Sequence, residues 1–291
     1  MLCGERRAQA GMAIDVAFIR EVGPWRWAKR TAVRQFYKRV LHCDHWMLLP
    51  TGEWLLLPIA DHFASEAFIT GGDVDWGSEA LMFQLLQGKG ALLDVGAHIG
   101  YYSLYMLPRV TEVYAFEPDP RVRELLEMNL RGRLNVDVIP WAAGARPGRA
   151  RFTLARDSEV SHMAQEGDDP GDQITVDVVT LDTFVRTRGL QVEAIKIDVE
   201  GHDTEVIAGG LQVLAGQEPL VLTEARPDAL LFTLMRKVGY RVFAFVRGRL
   251  TRGKRLVELF ADRPVPGETK MLFLAPGRLW GEFERRVAEE K

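Results

Sequence analysis

Cysteine is scarce in this chain, and the scarcity excludes several classes at once. Only Cys3 and Cys43 occur among 291 residues. They show neither metal-ligand nor redox spacing, and two are too few for a disulfide framework. A reducing, cytoplasmic compartment is therefore expected. Long apolar runs are missing too. A membrane span needs roughly 20 apolar residues, and the most apolar early stretch, Trp46 to Ala60, is broken by Pro50, Gly52, Glu53 and Pro58. Glu5, Arg6 and Arg7 put charge at the start, leaving no signal-peptide apolar region, so no export is expected. Neither charge dominates: Lys and Arg number 37 against 40 Asp and Glu, for a net charge of -3. That argues against a globally basic nucleic-acid binder. Internal repeats are absent as well.

What is present is the texture of a globular protein, 47% apolar and 26% charged, long enough to bury a sizeable core. Residues 1 to about 45 stand apart. Seven basic side chains (Arg20, Arg26, Lys29, Arg30, Arg34, Lys38 and Arg39) share one stretch with a single acid, Glu21, and with Trp25, Trp27, Phe36 and Tyr37. The stretch reads as helix, with Pro24 in the first turn of its second part. Two readings stay open: a basic face for an anionic membrane surface or a polyanion, giving peripheral membrane contact, or a solvated helix packed on the core by its aromatic side. Trp46 to Pro58 reads as two short strands around Thr51-Gly52-Glu53, and Asp75 to Gln87 as a helix ended by Gly88-Lys89-Gly90.

From Ala91 strands and helices alternate. Ala91–Val95, Val113–Phe116, Val136–Ile139, Ala194–Ile197 and Leu220–Thr223 are short apolar strands, with helices such as Arg121–Leu130 and Thr204–Leu214 between them. Such βαβ units imply an α/β, doubly wound Rossmann-like parallel sheet. Tyr240–Val246 and Met271–Leu274, joined by a charged loop, suit an antiparallel pair at one sheet edge. The chain thus divides into an N-terminal helical and hairpin extension over 1–75, expected to be a substrate cap or interface, an α/β domain over 76–280, and a helical tail over 281–291. Asp157 to Asp172, with Gly167-Asp168-Asp169-Pro170-Gly171, reads as a mobile loop. Its His162, near Ser158 and Ser161, either closes over a substrate or is simply solvated.

Leu92-Leu93-Asp94-Val95-Gly96-Ala97-His98-Ile99-Gly100 is a buried strand entering a glycine turn and then a helix beginning near Tyr101. Gly96 lets backbone approach a ligand, and Gly100 allows tight packing. A dinucleotide loop has G-x-G-x-x-G and rests a pyrophosphate on the helix N-terminus. Here the pattern is D-x-G-x-x-x-G, and Asp94 would repel a pyrophosphate. A ligand carrying an ammonium and a sulfonium suits it better. Glu117 follows the second strand, 21 residues after Gly96, where an acid accepts ribose hydroxyls. Pro118 continues that turn. Pro140-Trp141-Ala142-Ala143-Gly144 follows the third strand, where an adenine should lie, with Trp141 either stacked on the base or part of the core.

Together with Ile195-Lys196-Ile197-Asp198-Val199-Glu200-Gly201-His202, these residues resemble the FkbM family of methyltransferases over roughly residues 70 to 250. The matching motifs are Asp94 to Gly100, Phe116-Glu117-Pro118, Leu181-Asp182-Thr183-Phe184, Ile195 to Gly201, and Glu224. His98 departs from the family's usual asparagine. The resemblance implies a seven-stranded class I methyltransferase sheet with a reversed last strand. It also implies methyl transfer from S-adenosylmethionine to oxygen, often on sugars, polyketides or glycans. Asp94, Gly96, Ala97, His98, Gly100, Tyr101, Glu117, Pro118, Trp141, Ala142 and Asp198 are the residues expected around the cofactor.

Methyl transfer to an alcohol needs alignment and a destination for one proton, or a metal that lowers the acceptor's pKa. Lys196, Asp198 and Glu200 sit at the carboxyl end of a central strand, where open α/β sheets bind ligands, and alternation turns them to one side. Asp198 is the first choice for general base, held by Lys196. Glu200 and Glu224 orient the acceptor, and His202 carries the proton away. Asp198 and Glu224 are the candidate ligands if Mg2+ takes part. Nucleic-acid methylation, a nicotinamide oxidoreductase and a non-catalytic partner protein are the competing readings. Net charge weighs against the first, Asp94 with the wide glycine spacing against the second, and the intact acids against the third.

Overall fold

The computed structural model describes residues 16–155, 161–164, 172–248 and 253–289. Cys3, Ser158 and the Gly167 to Gly171 run lie outside the described residues. Helices α1 (Val16–Val22) and α2 (Pro24–Phe36) open the chain, with Pro24 in the first turn of α2 and a π-helical turn, Tyr37–Leu41, at its end. Strands β1 (His45–Leu48) and β2 (Trp54–Leu57) form the expected hairpin. Helix α3 (His62–Thr70), absent from the sequence reading, is capped by Asp61, which accepts from the Ala64 N–H. Helix α4 is shorter than expected, Ser78–Leu85. Trp76 and Gly77 before it adopt left-handed φ of 57° and 84°, so Asp75 to Gly77 form an entry turn. Gly88 to Gly90 do not cap α4. The Lys89 and Gly90 N–H groups donate instead to the Glu193 carboxylate.

The α/β part follows as β3 (Ala91–Val95), α5 (Tyr101–Met106), β4 (Val113–Phe116), α6 (Pro120–Leu130), β5 (Val136–Ile139), β6 (Ala142–Ala143), β7 (Gly148–Thr153), β8 (His162–Met163) and β9 (Gln173–Val179). Next come α7 (Leu181–Arg188), β10 (Val192–Ile197), α8 (Asp203–Ala208), α9 (Leu211–Gln217), β11 (Leu220–Thr223), α10 (Ala229–Val238), β12 (Tyr240–Arg247), β13 (Lys254–Leu259), β14 (Glu268–Pro276) and α11 (Trp280–Glu289). The main sheet runs β13-β12-β14-β11-β10-β3-β4-β5. Strands β5, β4, β3, β10 and β11 are mutually parallel, and β14 is antiparallel to both its neighbours. The seven strands with a reversed last member are thus present, with β13 added at the edge. The expected edge pair β12 and β14 is one strand further in, because the charged stretch between them carries β13.

The helix expected over Thr204–Leu214 is two helices. It breaks at Gly209-Gly210, where a Cβ on Gly209 would meet the Gly144 carbonyl oxygen at 2.1 Å. Asp182 of the Leu181-Asp182-Thr183-Phe184 motif accepts from the Gln212 and Val213 N–H groups, so it caps α9. Strands β6 to β9 make a second, four-stranded sheet that the sequence reading did not contain. The central strands β3, β10 and β11 are buried on both faces: alternate residues such as Leu92 and Ala194 face one apolar cluster, Leu93 and Ile195 the other.

The basic segment docks through a mixed side, two arginines and Tyr37, and leaves other basic and aromatic residues outside. Arg34 is 1% exposed, and its guanidinium donates to Ser65 Oγ, His45 Nδ1 and the Leu57 and Pro58 carbonyls. Arg30 donates to the Phe68 carbonyl. Tyr37 stacks on His45 at 4.2 Å, whereas Trp25 is 87% exposed. A buried guanidinium survives because its donors find acceptors in fixed positions. Among the described residues no helix is long and apolar enough to cross a membrane.

Candidate active site

The carboxyl ends of β3, β4 and β10 open into one cleft of about 1270 Å³, part of it open solvent. Gly96, Ala97, His98, Tyr101, Glu117, Pro118, Trp141, Ala142, Lys196, Asp198, Glu200, His202 and Glu224 all line it. Asp94 and Gly100, the other two expected contacts, do not. Gly100 packs α5 onto α6: at φ +90° its Cβ would meet Leu126 at 2.9 Å. Asp94 is wholly buried beneath the loop, where Ser103 Oγ donates to Oδ2 at 2.6 Å and Lys196 Nζ lies 3.7 Å from Oδ1. Burial holds its pKa up, partly offset by Lys196 and Ser103. Gly96 is required by its neighbour strand as well as by any ligand, because a Cβ there would stand 1.9 Å from the Asp198 carbonyl oxygen.

His98 sits at φ 51°, a left-handed conformation that asparagine and histidine tolerate better than most residues. Its Nε2 lies 3.4 Å from Oδ2 of Asp61, the residue that caps α3. The His98 N–H donates to Glu117 Oε2 at 3.0 Å, and the Asp119 N–H to Oε1 at 2.9 Å. Burial raises Glu117 to about 7 against these two bonds. Each carboxylate oxygen keeps a further lone pair for hydroxyl donors. Trp141 packs edge-on to Phe184 at 6.4 Å and also borders the cleft.

At the end of β10, Lys196 is 3% exposed. Its Nζ donates to the Gly96 carbonyl at 2.7 Å, lies 3.5 Å from Asp198 Oδ2, and stands 5.3 Å from the centre of the Tyr102 ring. Burial pulls its pKa down, but Asp198 and Asp94 outweigh that and raise it, so the cation persists. The chain turns at Glu200, φ 45°, and Gly201, φ 88°, yet Glu200 still faces the cleft. His202 occupies the N-cap position of α8 without a side-chain capping bond and, among the described residues, its Nδ1 has no hydrogen-bond partner. One carboxylate oxygen each from Asp198, Glu200 and Glu224 lies within 4.8 Å of the others. This trio could hold a hard divalent cation. Glu224 makes no ion pair with Arg226 among the described residues. Glu224 reaches solvent at the rim of the cleft; desolvation by its surroundings, then the charges of Asp198, Asp75, Glu200 and Asp203, raise its pKa.

Several lining residues escaped the sequence reading. Phe63 and Glu66 come from α3, Val74 and Asp75 from the turn before α4, Lys270 from β14, and Phe152, Ser161 and Met163 from the second sheet and its flank. Asp75 is oriented by Tyr102, whose hydroxyl donates to Oδ2 at 2.7 Å, and its own N–H donates to Glu79 Oε1 at 2.7 Å. Burial raises Asp75 to about 6 and the fully enclosed Glu79 to about 8. Lys270 Nζ is engaged by Glu66 at 2.8 Å and the Val74 carbonyl at 2.7 Å. Asp203, also unforeseen, accepts from Thr223 Oγ1 at 3.0 Å, and burial raises it to about 7.

Three comparisons bear on this cleft. The family model for the methyltransferase FkbM domain matches residues 94–242. A hexuronic acid methyltransferase of Haloferax volcanii is 26% identical over 235 residues, covering 73% of this chain and 97% of that protein. The AMB antimetabolite synthetase AmbE of Pseudomonas aeruginosa is 27% identical over 231 residues, 62% of this chain, which spans only 11% of that relative's length. Among solved structures, the FkbM methyltransferase of Methylobacillus flagellatus aligns with a TM-score of 0.43 at 18% identity, over 66% of this chain and 45% of that one. The stretch from Asp94 to Val242 holds the glycine turn, Glu117, the Lys196 to Glu200 run and Glu224, and on that match the chain belongs to the FkbM family of methyltransferases.

Proposed function

We propose that the protein transfers a methyl group from S-adenosylmethionine to a hydroxyl of a sugar, glycan or other small polyhydroxylated molecule. The observation that carries this reading is Asp198, set at the end of β10 on the same cleft as Glu117 and tethered by Lys196. When bound, the cofactor supplies an electrophilic methyl on sulfonium. Glu117 would accept from the ribose hydroxyls, and Ala142 with Trp141 would border the base. Asp198 takes the acceptor's hydroxyl proton as the oxygen–methyl bond forms and the carbon–sulfur bond breaks. Lys196 positions that carboxylate through its bond to Gly96, and His202 passes the proton toward solvent. Asp75, Glu200 and Glu224 hydrogen-bond the acceptor's other hydroxyls. If Mg2+ takes part, Asp198 and Glu224 would hold it and it would lower the acceptor's pKa.

The relative that methylates a hexuronic acid supports a sugar-like acceptor. A carboxylate-lined cleft opposes a polyanionic acceptor such as RNA. Calorimetric titration with S-adenosylhomocysteine, with NADH in parallel, tests the cofactor. Micromolar binding of the first alone is expected, followed by methylation within a panel of hydroxylated sugars with and without magnesium. Binding of NADH alone would replace this reading with an oxidoreductase.

A further inference from the structure

Helix α2 buries a guanidinium and exposes aromatic side chains. Its inward side is fastened by Arg30 and Arg34, while its outward side carries apolar groups. Trp25 is 87% exposed, Val33 38% and Phe36 50%, and on the following π-helical turn Val40 is 61% and Leu41 47% exposed. Trp25, Lys29, Ala32 and Phe36 follow the i, i+4, i+7, i+11 spacing of one helical stripe. Arg26, Lys29 and Arg39 are exposed among them, and no acid occurs between Pro24 and Leu41. Leaving aromatic groups in water costs free energy that a monomer's other surface helices avoid.

We propose that this face docks on an anionic lipid surface. Aromatic rings interleaved with cations are the composition of an in-plane interfacial helix, with rings in the headgroup region and long basic side chains reaching the phosphates. A second copy is a poor occupant, because a two-fold contact would bring Arg26, Lys29 and Arg39 against themselves. Helix α3 lies between: Ser65 and Phe68 meet α2, while Phe63 and Glu66 line the cleft. Docking would hold the cleft within about 20 Å, two helix diameters, of the surface. A surface-borne acceptor would then be presented to it. The docking does not depend on the methyl-transfer reading.

The test is flotation of the full chain with vesicles of phosphatidylcholine alone and of phosphatidylcholine with phosphatidylglycerol, at low salt. Binding only to the anionic vesicles is expected. Arg26→Ala with Lys29→Ala should weaken it about thirty-fold, and Trp25→Ala with Phe36→Ala about tenfold or more, with S-adenosylhomocysteine affinity unchanged in both. In the unmodified protein, brominated lipid should quench tryptophan emission, and Trp25→Phe should remove most of that quenching. The proposal is overturned by no binding to anionic vesicles, by binding that both double variants retain, by quenching that Trp25→Phe leaves intact, or by capture of an RNA oligonucleotide without vesicle binding. A dimer in light scattering that Trp25→Ala with Phe36→Ala disperses would assign the face to a second copy instead.

Discussion

The two ends of the cleft are built differently. The end around Gly96 and Glu117 is made by consecutive strand termini of one sheet, and its hydrogen bonds are largely backbone: the His98 and Asp119 N–H groups on Glu117, the Gly96 carbonyl under Lys196. The opposite end gathers side chains from α3, the turn at Asp75 and β14, and it crowds carboxylates. The first end is a rigid cradle whose shape follows from local chain geometry. The second is a collection of charges whose balance depends on what occupies it.

The largest expected effect falls where the ends meet. Asp198→Asn should slow methyl transfer by about 10²–10⁴, the range for a lost acid–base group, while S-adenosylhomocysteine affinity in calorimetry changes little. Normal turnover in that variant would assign the proton to another group. The cradle is tested by Glu117→Ala, expected to weaken S-adenosylhomocysteine binding about 10- to 100-fold by removing charge-assisted bonds. Its pH dependence has a definite sign. Free Glu117 titrates at about 7, and ribose donors favour the ionised form, so affinity should be full above that pH and fall as pH drops below it. Glu117→Gln should bind more weakly at alkaline pH and lose that slope. An unchanged slope would move the titration elsewhere.

Much of the cradle was legible because its signals are short-range. A buried strand, a glycine turn and an acid after the next strand occupy one βαβ unit, and the family motifs follow the same order. Lys196, Asp198 and Glu200 were legible for the same reason. Asp94 shows the limit: the sequence placed a carboxylate at the turn but not its direction, and burial sends it to Ser103 and Lys196. Asp75 looks like an ordinary acid near a helix start, and Lys270 belongs to no motif. What brings them to the cleft is the packing of α3, α4 and β14, which is long-range. The second sheet was missed although Gln173 to Val179 alternates, because its partner strands are short and polar. Arg34 was read with its basic neighbours, since nothing local distinguishes a buried guanidinium from a solvated one.

The acceptor end is probed by Asp75→Asn. Its carboxylate faces the cleft on the Tyr102 hydroxyl, and a protein using it to orient an acceptor should lose about tenfold in kcat/KM, mainly through KM, with S-adenosylhomocysteine affinity intact. A loss confined to kcat would instead make Asp75 a participant in proton transfer.

The smallest effect sharpens the contrast through stability. Glu79 is enclosed beside Asp75, with Oε2 lacking a partner among the described residues. Burial, then the charge of Asp75, raises it to about 8, above the roughly 4.3 of an unfolded chain. A raised acid favours folding at low pH: its contribution is complete below the unfolded value and is lost as pH rises through about 8. The melting temperature should therefore fall from about pH 5 to about pH 8 and level off above it. Glu79→Gln keeps the neutral shape and the bond that the Tyr101 hydroxyl donates to Oε1 at 3.0 Å but cannot ionise, so it should flatten that decline and gain about 1 kcal/mol or more at pH 9, a few degrees in Tm. A decline of the same size in Glu79→Gln would shift its source to the cleft carboxylates, chiefly Glu224. The charge crowding would then be a property of the acceptor end itself and not of its buried support.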